Sequence, residues 1–219
     1  MSRRIAGVDV GGTFTDLVLH DPATGRLSLG KLLTTPEDPR RAILEGLAGF
    51  GAAAEIVVHG TTLITNALIE RRGAPTGRIT TEGFRDVLEI GSELRYDTFD
   101  LQIERPRPLF GRAHRLTVRG RIGAGDAVVL PLDEAGVRGA ARALGRAGAR
   151  SIAIAFFNAW CNDAHERRAK AIVEAELGDV AVSTSAEIGP EIREYERFST
   201  TAANAYVAPI AERYLGELA

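Results

Sequence analysis

Four polar side chains near the N-terminus, Asp9, Thr13, Thr15 and Asp16, bracket the pair Gly11-Gly12. Glycines lack Cβ, so backbone N–H groups there can close around a bound anion as a phosphate-sized nest. Thr13 adds a hydroxyl donor to the same anion. Asp9 offers a hard oxygen to Mg²⁺, through the metal's waters, because Mg²⁺ dehydrates reluctantly. These are the parts that hold the β- and γ-phosphates of a nucleotide. An ordinary hairpin, with its Asp and Thr side chains satisfying local backbone groups, accounts for the same residues. No G-x-G-x-x-G opens a helix here and no G-x-x-x-x-G-K-[ST] occurs, which excludes the dinucleotide and P-loop fingerprints.

A second stretch, His59-Gly60-Thr61-Thr62-Leu63-Ile64-Thr65-Asn66, falls where a strand gives way to a helix. Open α/β sheets bind ligands at the carboxyl ends of their strands, and a helix N-terminus there favours an anion or a polarised carbonyl. His59 is a candidate acid, base or substrate-positioning group, and Thr61 and Thr62 are candidate phosphate donors. The competing reading is a helix cap with a hydrogen-bonded histidine. A third stretch, Pro190 to Thr201, alternates Glu and Arg at helical spacing. It reads either as ion pairs on a solvated face or as a catalytic or lobe-joining segment. His20, His114 and His165 stand singly without metal-ligand spacing, so no zinc site is assigned.

The elements that must position these residues follow from the hydrophobic pattern. Runs at 4–10, 14–20 and 27–33 read as three strands, the first two joined by Gly11-Gly12 as a hairpin whose glycines take positive φ, the last two by Asp-Pro-Ala-Thr-Gly-Arg. Asp38-Pro39 starts a helix with an Ile43, Leu44, Leu47, Phe50 stripe. A buried strand over 55–59, a helix to about Arg72 ending at Gly73, and a strand over 75–80 complete a βββαβαβ order. That order is the ribonuclease-H-like pattern, an α/β fold with a mixed sheet. Residues 81–131, rich in proline and glycine, read as an inserted subdomain or arm. Its basic run, Arg105, Arg107, Arg112, Arg115, Arg119 and Arg121, reads as a solvated face or a contact with an acidic partner; nucleic acid is disfavoured because only Phe110 interleaves it. Residues 132–219 then read as the second part of the lobe. They hold a helix capped by Asp133, an uninterrupted apolar strand over 151–157, a helix capped by Asn162 or Asp163, a short strand at 180–183 and a long terminal helix.

Composition narrows the classes further. The 219 residues are 45% apolar, ample for a packed core. A net charge of −2 gives no overall steering toward nucleic acid or anionic membrane. A single cysteine, Cys161, forms no intrachain disulfide and lacks a nucleophile signature. The N-terminal Met1-Ser2-Arg3-Arg4 leads straight into a strand, with no apolar signal region and no apolar run near 18 residues. These features predict a cytoplasmic, soluble chain.

Four separated pieces give the sequence a specific resemblance. They are Val8 to Asp16; His59-Gly60-Thr61-Thr62 with Thr65-Asn66-Ala67-Leu68; Thr81-Glu82-Gly83-Phe84-Arg85-Asp86-Val87; and Pro190 to Thr201 with Asn204-Ala205-Tyr206. In this order they resemble the N-terminal region of the hydantoinase A / 5-oxoprolinase / acetone carboxylase family, itself similar to the actin-like ATPases and sugar kinases. The resemblance implies ATP and Mg²⁺ as cofactors, with Gly11, Gly12 and Thr13 as a first phosphate loop and Asp9 serving the metal or the attacking group. Thr15, Thr61 and Thr62 are carried as further cofactor-binding candidates, and Asp9 and His59 as catalytic candidates. Family members activate a poor electrophile by phosphorylating it on oxygen: a hydantoin or 5-oxoproline amide, or bicarbonate and a ketone in the carboxylases. Such transfer needs positioning and charge neutralisation more than covalent side-chain chemistry. The resemblance also implies a cyclic amide substrate, a hydantoinase B-type partner subunit or domain, and a second lobe with another phosphate loop. Without that lobe the chain is expected to bind ATP weakly and to turn over nothing. A non-catalytic lobe that only docks a partner is the rival expectation.

Overall fold

The computed structural model describes residues 3–35, 38–51, 54–95, 97–104 and 106–218. The chain divides into two compact units, Met1–Arg72 with Arg213–Ala219, and Gly73–Glu212.

The first unit opens with an antiparallel meander of β1 (Ile5–Val10), β2 (Phe14–Asp21) and β3 (Arg26–Leu33). Helix α1 (Pro39–Gly49) carries the chain back so that β4 (Ile56–Thr61) joins β1 in parallel, and α2 (Leu63–Ile69) follows. The order β3-β2-β1-β4 is the mixed, ribonuclease-H-like arrangement. Strict alternation along β1 and β2 decides which way the sheet faces. Ala6, Val8, Val10, Leu17 and Leu19 are buried, while Asp9 and Asp16 between them are exposed. Helix α1 covers the buried face with Ile43, Leu47 and Phe50, joined there by Leu218. Gly46 makes that approach possible: a Cβ there would stand 2.5 Å from Leu17 Cδ2. The opposite face, on which Asp9 and Asp16 lie, also exposes Phe14, Leu29, Leu33 and Val58.

The second unit is a parallel sheet between helices. Its elements are β5 (Thr76–Thr81), α3 (Val87–Ile90), β6 (Arg115–Val118), β7 (Arg121–Ile122), β8 (Val128–Leu130), α4 (Glu134–Arg146), β9 (Ser151–Ala155), α5 (Ala164–Leu177), β10 (Ala181–Thr184), α6 (Ser185–Ile188) and, up to Glu212, α7 (Glu194–Leu218). The strand order is β10-β9-β5-β6, with β7 and β8 paired as a separate ribbon. Every residue of β9 is buried, as its unbroken apolar run predicts for a central parallel strand. Val137, Ala141 and Leu144 of α4 and Ala169, Ile172 and Val173 of α5 pack against Ile79, Ile152 and Ile154. The Asp133 cap forms, its carboxylate accepting from Gly136 N at 2.9 Å.

Three expectations are corrected. The strand expected at 75–80 does not extend the first sheet; as β5 it pairs with β9 and β6. The units therefore divide at 72/73 and 212/213, not at 80 and 131, and residues 132–212 belong with the supposed insertion. The basic run is not one solvated face. Arg115 is 2% exposed, Arg112 forms a two-pronged pair with Asp86, and Arg121 lies 4.0 Å over the Phe157 ring; Arg105 lies outside the described residues. In the Pro190–Thr201 stretch Arg193 and Glu196 are solvated, but Arg197 is buried and donates to Ser185 Oγ, Glu191 O and Phe156 O at 2.8–3.0 Å. That segment is a structural anchor.

Candidate functional site

The bend between β1 and β2 is closed by Gly11 N donating to Phe14 O at 2.9 Å, and Thr34 N donates to Thr13 O at 2.9 Å. Neither Gly11 nor Gly12 takes a left-handed φ, which corrects the expected reason for glycine. At Gly11 the reason is space, since a Cβ there would meet Phe14 O at 3.1 Å; one on Gly12 would reach Asn66 Nδ2 at 3.4 Å, an ordinary contact. Gly12 and Thr13 are exposed, so the bend presents backbone to solvent.

Gly12's neighbour Asn66 comes from the second motif, so the two stretches converge at one end of the sheet. Parallel pairing places Val10 beside Thr61, and Thr62 N donates to Val10 O at 3.3 Å. This is the carboxyl end of two parallel strands, where α/β sheets take ligands. Thr61 is already occupied there: its hydroxyl donates to Val10 O and accepts from Leu63 N, both at 3.1 Å. Thr62 is exposed and accepts weakly from Asn66 Nδ2 at 3.4 Å. The following helix α2 has seven residues rather than the ten or so expected, and it has no long dipole to offer.

Asp9 stands directly opposite Asp16 across the hairpin and beside Gly60 of β4. Like charges opposed on one face destabilise a sheet. Lys31, next in the row, binds both Asp16 oxygens at 2.7 and 3.1 Å. Among the described residues Asp9 makes no side-chain hydrogen bond or ion pair. It lines an open groove of about 700 Å³ with Gly7, Asp16, Leu29, Lys31 and Gly60. A carboxylate left unpartnered near a like charge fits a cation that a ligand brings with it. No group of three or more His, Cys, Asp or Glu side chains forms an ion cage among the described residues. A Mg²⁺ at Asp9 would keep most of its waters and be held chiefly by phosphate oxygens.

Two sequence-derived candidates do not join this site. Thr15 is fully buried and shares a 2.9 Å hydrogen bond with Thr34; strand alternation turns it to the face opposite Asp9. His59 pairs in register with buried Val8, so it too points to the covered face. Its Nε2 is 2.7 Å from the Tyr214 hydroxyl, and its Nδ1 is buried without a partner. Burial raises the Tyr214 phenol above its ordinary pKa, an effect opposed by a hydrogen bond with Thr61. This aromatic contact pins the end of α7 to β4 and sets His59, expected as a catalytic candidate, on the face opposite Asp9. Conversely, Lys31 and Asn66 belong to the site's surroundings. Asn66 was readable as part of the motif. Lys31 carries no local signal and is found only through strand pairing.

Comparison with known proteins bears on this geometry. The profile of the hydantoinase/oxoprolinase N-terminal region matches residues 5–177. The chain belongs to that family. It is 39% identical to caprolactamase subunit alpha of Pseudomonas jessenii over 95% of its own length and 32% of that subunit. It is 34% identical to the acetophenone carboxylase gamma subunit of Aromatoleum aromaticum, again covering 95% of itself and 32% of the relative. The 5-oxoprolinase of Saccharomyces cerevisiae is 32% identical over 98% of the chain and 20% of that protein. Among solved structures, the ATP-dependent caprolactamase of P. jessenii superposes with a TM-score of 0.88 at 36% identity, covering 98% of this chain and 33% of that one. The nucleotide-free acetone carboxylase gives 0.88 at 28% identity, covering 100% and 34%. The hydantoinase/oxoprolinase region described here thus spans about a third of the caprolactamase and acetone carboxylase chains that it matches. No helix among the described residues is long and apolar enough to cross a membrane.

Proposed function

We propose that this chain is the first phosphate-binding lobe of an ATP-dependent enzyme that opens a cyclic amide or imide, of the hydantoin or 5-oxoproline type. The observation that carries the proposal is the meeting of the side-chain-free bend Gly11-Gly12-Thr13 with Thr62 and Asn66, beside the unpartnered carboxylate of Asp9. ATP supplies the phosphoryl group that activates the amide oxygen. The chain's own part is electrostatic. The backbone N–H groups of Gly12 and Thr13 and the Thr13 and Thr62 hydroxyls would orient the terminal phosphates, and Asp9 would hold the accompanying Mg²⁺ through its water shell. Lys31 neutralises Asp16, leaving Asp9 as the free anion of the row. A second lobe and a hydantoinase B-type partner complete the enzyme in this reading; the subunit names of the relatives support a partner subunit.

The similarity to acetophenone carboxylase and acetone carboxylase supports a second reading, ATP-dependent carboxylation of a ketone. One assay separates the two. ATP hydrolysis by the complete enzyme is measured with a panel of lactams, hydantoins and 5-oxoproline, and in parallel with ketones plus bicarbonate. Stimulation by at least one cyclic amide without bicarbonate is expected. Stimulation that needs both bicarbonate and ketone selects the carboxylase, and no stimulation by either set overturns both.

A further inference from the structure

Tyr206 of α7 is 7% exposed, and among the described residues its hydroxyl makes no hydrogen bond. Yet the hydroxyl is not sealed off from solvent. Tyr206 lines a cavity of about 250 Å³, together with Pro75, Leu109, Phe110, His114 and Ala149. The cavity lies at the amino ends of β5 and β9, which are tied there by Arg150 N and Ser151 N donating to Pro75 O at 2.7 and 3.2 Å. The Tyr206 ring is fixed in place. Ala74 N donates to Tyr206 O at 2.8 Å, and a Cβ on Gly73 would stand 2.1 Å from Tyr206 Cδ1, so only glycine lets the ring lie where it does.

Few polar groups remain to serve this cavity. Thr76 Oγ1 is already used, donating to Ala74 O at 2.7 Å. His114 ends the single 3₁₀ turn Arg112–His114, its backbone N donating to Gly111 O at 3.0 Å, and its ring nitrogens make no hydrogen bond among the described residues. That leaves one phenol and one imidazole, which between them offer both a donor and an acceptor. Among the described residues no Asp, Glu, Lys or Arg lines the space, and its walls are otherwise largely apolar. An apolar hollow with a few convergent polar groups is how small-molecule sites are built. Polar groups that face such a hollow are satisfied by whatever fills it.

We infer that this cavity binds a compact, uncharged ring that carries a donor and an acceptor side by side, the edge of a lactam. The size agrees, since a cavity of about 150 Å³ takes a benzene ring and one of about 250 Å³ admits a ring with its polar edge. The lactam carbonyl accepts from one of the two polar side chains and its N–H donates to the other. The methylenes of the ring lie against Pro75, Leu109 and Phe110. A carboxylate meets no Lys or Arg there, so its lost hydration goes uncompensated. All the lining residues belong to the Gly73–Glu212 unit, so this site is independent of Asp9 and of the nucleotide bend.

The test titrates the protein with δ-valerolactam at about pH 8.5, where a free imidazole is neutral. NMR follows the His114 ring resonances, assigned with His114→Gln, and the nuclear Overhauser contacts from ligand to aromatic rings. Saturable shifts with contacts to Phe110 are expected, with a Kd on the order of 1 mM for a ligand of so few atoms. Tyr206→Phe keeps the ring over Gly73 and removes only the hydroxyl, so affinity is expected to fall roughly fivefold at an unchanged unfolding midpoint. Ala147→Phe, at an exposed position on the cavity wall, is expected to abolish binding by filling the space. Cyclohexanone, which has the acceptor but no N–H, and 5-oxoproline, which adds a carboxylate, are each expected to bind roughly fivefold more weakly or worse. The absence of any saturable shift overturns the inference. So do shifts that persist unchanged in both Tyr206→Phe and Ala147→Phe, and so does equal binding of either control compound.

Discussion

Replacing Glu166 by alanine is expected to lower the unfolding midpoint by roughly 10 °C, the equivalent of about 3 kcal/mol for a chain of this size. Glu166 is fully buried, and both its carboxylate oxygens are used. Oε1 accepts from Phe156 N and Ser185 Oγ, each at 2.7 Å, and Oε2 accepts from Ala186 N at 2.8 Å. Ser185 Oγ in turn accepts from Arg197 Nε at 3.0 Å. The network therefore ties the end of β9, the start of α6, helix α5 and helix α7 to one carboxylate. Burial pushes the Glu166 carboxyl above its usual range, while the three hydrogen bonds and the Arg197 charge pull it back. Alanine removes the acceptor of the Phe156 and Ala186 N–H groups and of the Ser185 O–H, and an unsatisfied buried donor costs about 1–3 kcal/mol. Glu166→Gln keeps one acceptor oxygen but turns an NH₂ toward Ala186 N–H, so a smaller loss is expected. Thermal or urea unfolding measures both. A midpoint unchanged in Glu166→Ala refutes the anchoring role.

Nothing in the sequence around Glu166 separates it from the solvated charges of its own helix, such as Arg167, which is paired at the surface with Asp163. Its partners lie 10, 19 and 20 residues away, and only the folded topology brings them to it. The same limit explains the other misreadings. Local pattern located β5 nearly to the residue, but a strand's sheet is chosen by long-range pairing, and β5 pairs with β9 some 75 residues later. Arg115 and Arg197 look like surface charges in sequence because their partners are distant in the chain, the Glu89 carboxylate for Arg115 and the Phe156 carbonyl for Arg197. What was legible was what depends on neighbours in the chain. The β1–β2 hairpin follows from alternation around Gly11-Gly12, the β9 core strand from its unbroken apolar run, and the Asp133 cap from one side chain. The site was legible in part for the same reason. Asp9, Gly12 and Thr13 lie within one hairpin, whereas the face on which Thr15 and His59 lie is set by parity along a strand and by what covers it.

That parity supplies the sharpest test of the site. Under the proposed nucleotide reading, Asp9→Asn in the complete enzyme is expected to cut kcat on the order of 100-fold or more while changing the KM for ATP much less, because a charge positioning Mg²⁺ would matter most as phosphate charge develops. The substitution removes an exposed charge lying opposite Asp16, so the unfolding midpoint is expected to hold or rise slightly. His59→Gln should do the reverse. His59 lies on the covered face against Tyr214, so kcat is expected to stay within about threefold while the midpoint falls by a few degrees. Tyr214→Phe, which deletes the other half of that contact, is expected to cost about 1 kcal/mol and to leave turnover intact. Paired kinetics and calorimetry on the three variants decide between the rivals. Full activity in Asp9→Asn makes this lobe a docking element and not part of the nucleotide site. A kcat loss in His59→Gln as deep as that in Asp9→Asn, at unchanged stability, would instead place the imidazole among the reacting groups and overturn the assignment of faces.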